Sequence, residues 1–316
     1  MKKILFLTLG VFLFLSGCNG MALAAVSTPT TTKTPTSLPP TATATVTPTP
    51  TITLTFTPSP VPTATWVLQG PNAVTVPILL YHRIDVSPIG SRYYVPPEKF
   101  EEQIKLLHDW EYTSISTSML VKAITEGAPL PPRPIIITFD DGHLDNYTTA
   151  FPIMQKYGFT GVLYLVGGFI GAQEYMNVDQ IKELAAAGWE VGSHSMSHQQ
   201  LTSLDPEQQR YEIVESRKFL QEKLDLPVLT LAYPFGAMNG SAADYAHFAG
   251  YIAAMGAQGF TPYQGSGNLF NLQRSEIKGT EDAKTFIRFL PWHGDPAFLP
   301  TDTPTPTATP TRTLRP

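Results

Sequence analysis

Pro134-Ile135-Ile136-Ile137-Thr138-Phe139-Asp140-Asp141-Gly142 decides the fold. Residues 134–139 form a short apolar run rich in β-branched side chains, opened by proline and closed by Asp-Asp-Gly. That pattern marks a strand buried on both faces of a parallel sheet, with the aspartates at its C-terminal end. Outward from it, residues 189–193 read as a strand delivering His194-Ser195-Met196-Ser197-His198, and residues 229–232 as one delivering Tyr233-Pro234-Phe235-Gly236. Residues 76–81 form a further apolar run, ended by His82. Polar motifs at successive strand ends are the pattern of an α/β barrel, in which the loops after the strands build the active site. Residues 97–110, 145–157, 178–187 and 206–224 read as helices, the last opened by Asp205 as N-cap with Pro206 at the first position. Residues 160–166 and 251–255 are further strands, and the alternation supports a parallel sheet.

Two histidines and one of two adjacent carboxylates can hold a zinc-like ion. Catalytic zinc sites use three protein ligands and leave a position open for water, whose pKa the ion lowers towards neutrality. The second carboxylate is then free to act as a base. Each motif also has a plainer explanation: Asp-Asp-Gly is a common turn, and a His-x3-His pair says less on a loop than on a helix, where it shares one face. Their occurrence together, in order, each at a strand end, favours the site.

The Thr138–Gly142, His194–His198 and Tyr233–Gly236 segments resemble the first three motifs of the polysaccharide deacetylase family, the carbohydrate esterases with a nodulation-factor-deacetylase-like domain. The resemblance covers roughly residues 74–290. It implies an α/β fold, a distorted, incomplete (β/α) barrel of about seven strands. It implies Asp140 as general base and Asp141, His194 and His198 as ligands of a divalent metal, zinc before cobalt or nickel. It also implies that the Tyr233 backbone N–H helps hold the oxyanion.

A departing amide nitrogen must be protonated, so a histidine is wanted opposite the base. His82 and His293 compete. Leu80-Tyr81-His82-Arg83-Ile84 resembles the branch of the family that deacetylates biofilm exopolysaccharide, whose acid histidine is N-terminal, whereas His293 lies nearer the position most of the family uses. A strand end favours His82, since His293 follows the predicted final helix, 282–290. Where many members carry arginine at the start of the third motif, this chain has Ala232. Arg274, in a predicted strand over 271–277, is the candidate partner for Asp140; an ordinary solvated arginine is the alternative. His143 borders the Asp-Asp-Gly turn, while His108 and His247 sit in predicted helices as surface or packing residues.

Met1-Lys2-Lys3 and the apolar residues 4–15 read as an export signal, too short for a membrane span. Leu15-Ser16-Gly17-Cys18 resembles a bacterial lipobox, and its place directly after the apolar run favours it over cleavage after Ala22-Leu23-Ala24. Lipid anchorage on the outer face of the cell membrane is expected, with secretion as the alternative. Cys18 is the only cysteine, so disulfides are excluded. After this signal (1–25), residues 26–73 are a Thr/Pro-rich linker, 74–298 the catalytic domain and 299–316 a Thr/Pro-rich tail; such tracts cannot bury enough apolar surface to order themselves.

A net charge of −5 without a basic block excludes nucleic acid as partner and fits a neutral or partly cationic glycan. Tyr93, Tyr94, Tyr175, Trp189, Tyr233, Phe235 and Tyr263 are candidates for stacking on sugars, with core packing the better reading for Trp189. Residues 265–267 suggest a mobile loop near the site. The expected activity is N-deacetylation of an N-acetylglucosamine polysaccharide by a monomer, the alternatives being O-deacetylation of acetylxylan and non-catalytic glycan binding.

Overall fold

The computed structural model describes residues 70–257, 259 and 261–294. The expected signal with Cys18, nearly all of the 26–73 linker and the 299–316 tail lie outside the described residues. Among the described residues no helix is long and apolar enough to cross a membrane. In chain order the elements are β1 (Ala73–Thr75), β2 (Ile78–Tyr81), α1 (Pro97–Asp109), β3 (Thr113–Ser114), α2 (Thr117–Glu126), β4 (Pro134–Asp141), α3 (Phe151–Lys156), β5 (Val162–Leu165) and α4 (Val178–Ala186). There follow β6 (Glu190–Ser193), α5 (Pro206–Arg210), α6 (Ser216–Leu224), β7 (Thr230–Ala232), α7 (Gly240–Phe248), β8 (Ala253–Met255), β9 (Tyr263–Gly265), β10 (Ser275–Glu276) and α8 (Ala283–Ile287).

The order β10-β2-β4-β5-β6-β7-β8 makes one curled parallel sheet, a half-barrel, with β3 paired on the start of β4. β4 shows why. Successive side chains of a strand point to opposite faces. Ile135, Ile137 and Phe139 join the larger core cluster with helix residues such as Ile104, Leu107 and Ile181, whereas Ile136 packs with Val162, Tyr164 and Ala232 in the second cluster. Both faces are buried, as the continuous apolar run requires, and each isoleucine contributes about 1.5–3 kcal/mol of burial. Asp140 shares the face of Ile136 and Thr138, and therefore lies inside the curl.

Two predicted helices are interrupted. The 145–157 segment is a wide π turn over Asn146–Ala150 that continues as α3, and 206–224 is α5 and α6 joined by a π turn over Tyr211–Glu215. Pro152 lacks the N–H that would complete the first of these ladders, which gives a local reason for its register change. The final helix is shorter than 282–290, being α8 capped by the Asp282 side chain. Residues 265–267 are no free loop: Gly265 pairs with Ala73 across β1 and β9, and Ser266 N–H donates to Asn72 O at 2.8 Å. α2 had not been expected, although Ser116 caps its start and Gly127, at φ 72°, closes its end.

Candidate active site

β2, β4, β6 and β7 end at a common cavity of about 410 Å³, whose lining includes His82, Asp140, Asp141, His194, His198 and Phe235. Asp141 (φ 71°), Ser195 (φ 66°), His198 (φ 60°) and Phe235 (φ 60°) all adopt the left-handed backbone region there. Such conformations cost about 1–3 kcal/mol each outside glycine and gather at functional sites. Gly142 follows at φ 84°, where a Cβ would come 2.8 Å from the Leu165 side chain, so the turn after the aspartates needs glycine.

The two aspartates have different surroundings. Asp140 is 2% exposed and forms a fork-to-fork pair with the fully buried Arg274, Nη1 to Oδ1 at 2.7 Å and Nη2 to Oδ2 at 2.9 Å. Arg274 is itself fixed, its Nε donating to Gly256 O at 2.7 Å and its Nη1 to Thr138 Oγ1 at 3.2 Å. Burial would push the Asp140 carboxyl up, but the Arg274 guanidinium, with His194 and His82, outweighs it and holds the carboxyl below its ordinary range. Arg274 lies just before β10, not within a strand over 271–277, and it is paired with Asp140 and not solvated.

Asp141 Oδ1, by contrast, is buried with no hydrogen-bond partner. It lies 3.2 Å from His198 Nε2 and 3.6 Å from His194 Nε2, and one ligand atom from each of the three residues falls within 4.8 Å of the others. His194 Nδ1 lies 2.8 Å from Ala232 O, so in the neutral ring that nitrogen carries the hydrogen and Nε2 presents a lone pair to Asp141. Two acceptors facing each other in a buried space call for a cation between them. Two imidazole nitrogens and one carboxylate oxygen suit zinc or a similar divalent ion. Burial would raise the Asp141 carboxyl; His143, His194, His82 and His198 together hold it well below the usual range. Burial, reinforced by His194, also lowers His198, which favours the neutral, ligating form. The loop bearing His198 is anchored by Glu212, whose Oε2 accepts from the N–H groups of Met196 at 2.9 Å and Ser197 at 2.8 Å.

His82 lines the cavity, with its ring 4.7 Å from that of Tyr93 and its Nδ1 buried without a partner. Burial lowers its pKa against the opposing pull of Asp140 and Asp141. Its backbone is bracketed by residues the sequence reading passed over: Asn146 Nδ2 donates to His82 O at 2.9 Å, while Asp145 accepts from Arg83 Nε at 2.7 Å and Ile84 N–H at 2.8 Å. His293 is elsewhere. Its Nε2 lies 2.8 Å from Leu290 O and its ring packs near Trp110; Arg133, next to the start of β4, donates to both Trp110 O and Gly294 O. At ~3.3 Å per residue, that end of β4 is roughly 20 Å from Asp140.

The expected oxyanion role of the Tyr233 amide is overturned. Its N–H donates to Met255 O at 3.1 Å in the sheet, its ring is fully buried, and its hydroxyl donates to Phe270 O. Pro234 has no N–H, so the next amide is that of Phe235, which lines the cavity and, among the described residues, meets no backbone acceptor. The Phe235 ring, 58% exposed, stands 4.8 Å from the His198 ring. Of the other aromatics, Tyr93 and Tyr94 line the cavity, Tyr175 packs on His143, Trp189 is core, and Tyr263 is exposed on β9 outside the cavity lining. A second hollow, of about 520 Å³ and lined by His108, Glu111 and Tyr157 among others, lies at the opposite strand ends; among the described residues the group that could hold a metal ion is that of Asp141, His194 and His198.

A half-barrel with a two-histidine, one-aspartate cluster at its C-terminal strand ends has its candidate site where α/β-barrel enzymes carry theirs. Residues 127–254 match the family model described as polysaccharide deacetylase. The chain belongs to the polysaccharide deacetylase family. It is 31% identical over 189 residues to a putative polysaccharide deacetylase, YxkH, of Bacillus subtilis, covering 60% of this chain and 66% of that protein. It is 28% identical over 163 residues to a poly-beta-1,6-N-acetyl-D-glucosamine N-deacetylase of Staphylococcus aureus, covering 46% of this chain and 55% of that protein. The chain thus spans between half and two thirds of the length of these relatives. Among solved structures, the deacetylase PplD of Streptococcus pyogenes, in complex with acetate, superposes with a TM-score of 0.64 at 25% identity, over 69% of this chain and 99% of that one. IcaB from Ammonifex degensii shares the fold, with a TM-score of 0.60 at 22% identity over 71% of this chain and 97% of that one.

Proposed function

We propose that this protein is a metal-dependent N-deacetylase of a polysaccharide containing N-acetylglucosamine, releasing acetate and leaving a free amine. The observation that carries this reading is the contrast at the end of β4: Asp140 is satisfied by Arg274, while Asp141 directs an unpartnered oxygen at two histidine nitrogens. Family membership and the N-deacetylase name of the Staphylococcus relatives support it.

Asp141, His194 and His198 would hold the ion, which when bound polarises an acyl oxygen and acidifies water. Asp140, kept ionised by Arg274, has lone pairs beyond the two that Arg274 occupies and accepts a proton from the attacking water. As the new carbon–oxygen bond forms, the N–H of Phe235, a residue of the cavity lining, donates to the developing oxyanion. His82, on the cavity wall, gives a proton to the amide nitrogen as the carbon–nitrogen bond breaks. Anchorage on the cell surface through Cys18 belongs to the same reading and rests on residues 1–25 alone.

Acetate release from a panel of β-1,6- and β-1,4-linked N-acetylglucosamine oligomers and acetylxylan, with and without chelator, tests the proposal. Acetate and free amine should appear in equal amounts from an N-acetylglucosamine oligomer, disappear on chelation and return with added zinc, cobalt or nickel. Release from acetylxylan alone, or release indifferent to chelation, would contradict it.

A further inference from the structure

His143 follows the Asp-Asp-Gly turn and has no part in the mechanism above, yet it touches the metal-site carboxylate. Its Nε2 lies 3.3 Å from Asp141 Oδ2, the oxygen opposite the unpartnered Oδ1. Its backbone is pinned on both sides: Gly142 O accepts from Met176 N–H at 3.0 Å, and Leu144 N–H donates to Glu174 O at 2.8 Å, so that His143 pairs with Tyr175 in an antiparallel bridge. The two rings stack, centroids 4.8 Å apart and planes 24° apart. Tyr175 in turn packs on Phe169 at 4.8 Å, and Phe169 lies 6.5 Å from the His198 ring. A collar of side chains thus runs from one side of Asp141 round to His198, and His143 makes its contact with Asp141 Oδ2.

We infer that His143 is a positioning residue: its Nε2–H engages Asp141 Oδ2, so that the carboxylate offers the metal Oδ1 alone. A carboxylate free of that contact can rotate and present both oxygens, filling a position that water or the substrate carbonyl needs. Partners of metal-ligating groups typically change metal affinity by 10- to 100-fold when removed. The inference rests on Asp141 being a metal ligand, as proposed above.

Two substitutions separate the polar contact of Nε2 with Asp141 from the ring packing. His143→Phe keeps a ring against Tyr175 and loses the donor, whereas His143→Gln loses the ring and keeps an N–H of similar reach. Co²⁺ affinity, by competition with a chromophoric chelator, and the visible absorption of the Co²⁺-loaded protein are read beside a thermal melt of the metal-free form. The Phe variant should melt near the wild type, bind Co²⁺ about 10- to 100-fold more weakly and show the weaker absorption of a higher coordination number. The Gln variant should recover affinity and spectrum towards the wild type. Unchanged affinity and spectrum in the Phe variant, or loss in Gln but not Phe, would overturn the inference while leaving the metal reading intact. A wild-type protein that binds no Co²⁺ would overturn the metal reading and this inference with it.

Discussion

β6 carries a polar group at each end, and the two ends differ in how those groups are satisfied. At its start the Glu190 carboxylate accepts from Ser118 N–H at 3.0 Å and Thr230 Oγ1 at 3.3 Å, so both oxygens are provided for. Just past its other end, His194 faces the unpartnered Oδ1 of Asp141. Glu190 and Asp141 are both carboxylates of one sheet, yet Glu190 has a donor at each oxygen whereas Asp141 turns its Oδ1 towards imidazole nitrogens. A buried carboxylate surrounded by donors is a structural device. One surrounded by imidazole nitrogens is half of a binding site.

The largest effects should fall at the open end. His82→Ala should lower turnover on N-acetyl substrates by roughly a hundred- to ten-thousandfold, with metal content intact, and harm an activated ester less because its leaving group needs less protonation. His293→Ala, at the closed end beside Leu290 and Trp110, should leave turnover on both substrates nearly unchanged. An amide-selective loss on His293→Ala with His82→Ala silent would invert the comparison.

Arg274 should affect stability as well as rate. Arg274→Met strands Asp140 as a buried charge without its partner, which costs about 3–5 kcal/mol in such pairs. Denaturant unfolding measures it. A loss below ~1 kcal/mol would mean that solvent reaches Asp140 far better than its burial implies.

Glu190 gives the smallest effect and the sharpest control. Burial raises its pKa despite the donors around it. It therefore binds its proton more tightly folded than unfolded, so its contribution favours folding at low pH and is lost as pH rises through the elevated value. Glu190→Gln should be modestly more stable than wild type at neutral pH, and the advantage should vanish on acidification below the ordinary glutamate range. An advantage that grows on acidification would show that the carboxylate is held by its donors in the ionised form.

Much of this was legible in sequence because it is local. The apolar run ahead of Asp140 marks a strand buried on both faces, and the end of such a strand is where its polar residues emerge. The Arg274 pairing was readable as a candidate, since Ala232 left the base without an arginine from the third motif. What was not readable depends on distant partners. Tyr233 lost its assigned role because its amide is taken by Met255 on the neighbouring strand, and sequence around Tyr233 carries no sign of that. The bracket that Asp145 and Asn146 place around His82 spans more than 60 positions of chain. α2 was missed although Ser116 and Gly127 mark its ends, a signal that capping alone would have supplied.

Two adjacent aspartates, Asp140 and Asp141, have different duties, and metal content separates them most directly. Asp140→Asn and Asp141→Asn are purified alike and their bound zinc, cobalt and nickel measured beside the wild type. Asp140→Asn should keep a near-stoichiometric ion while losing acetate release; Asp141→Asn should lose both. Equal metal loss in the two variants, or full metal retention in Asp141→Asn, would contradict the division of labour read from the end of β4.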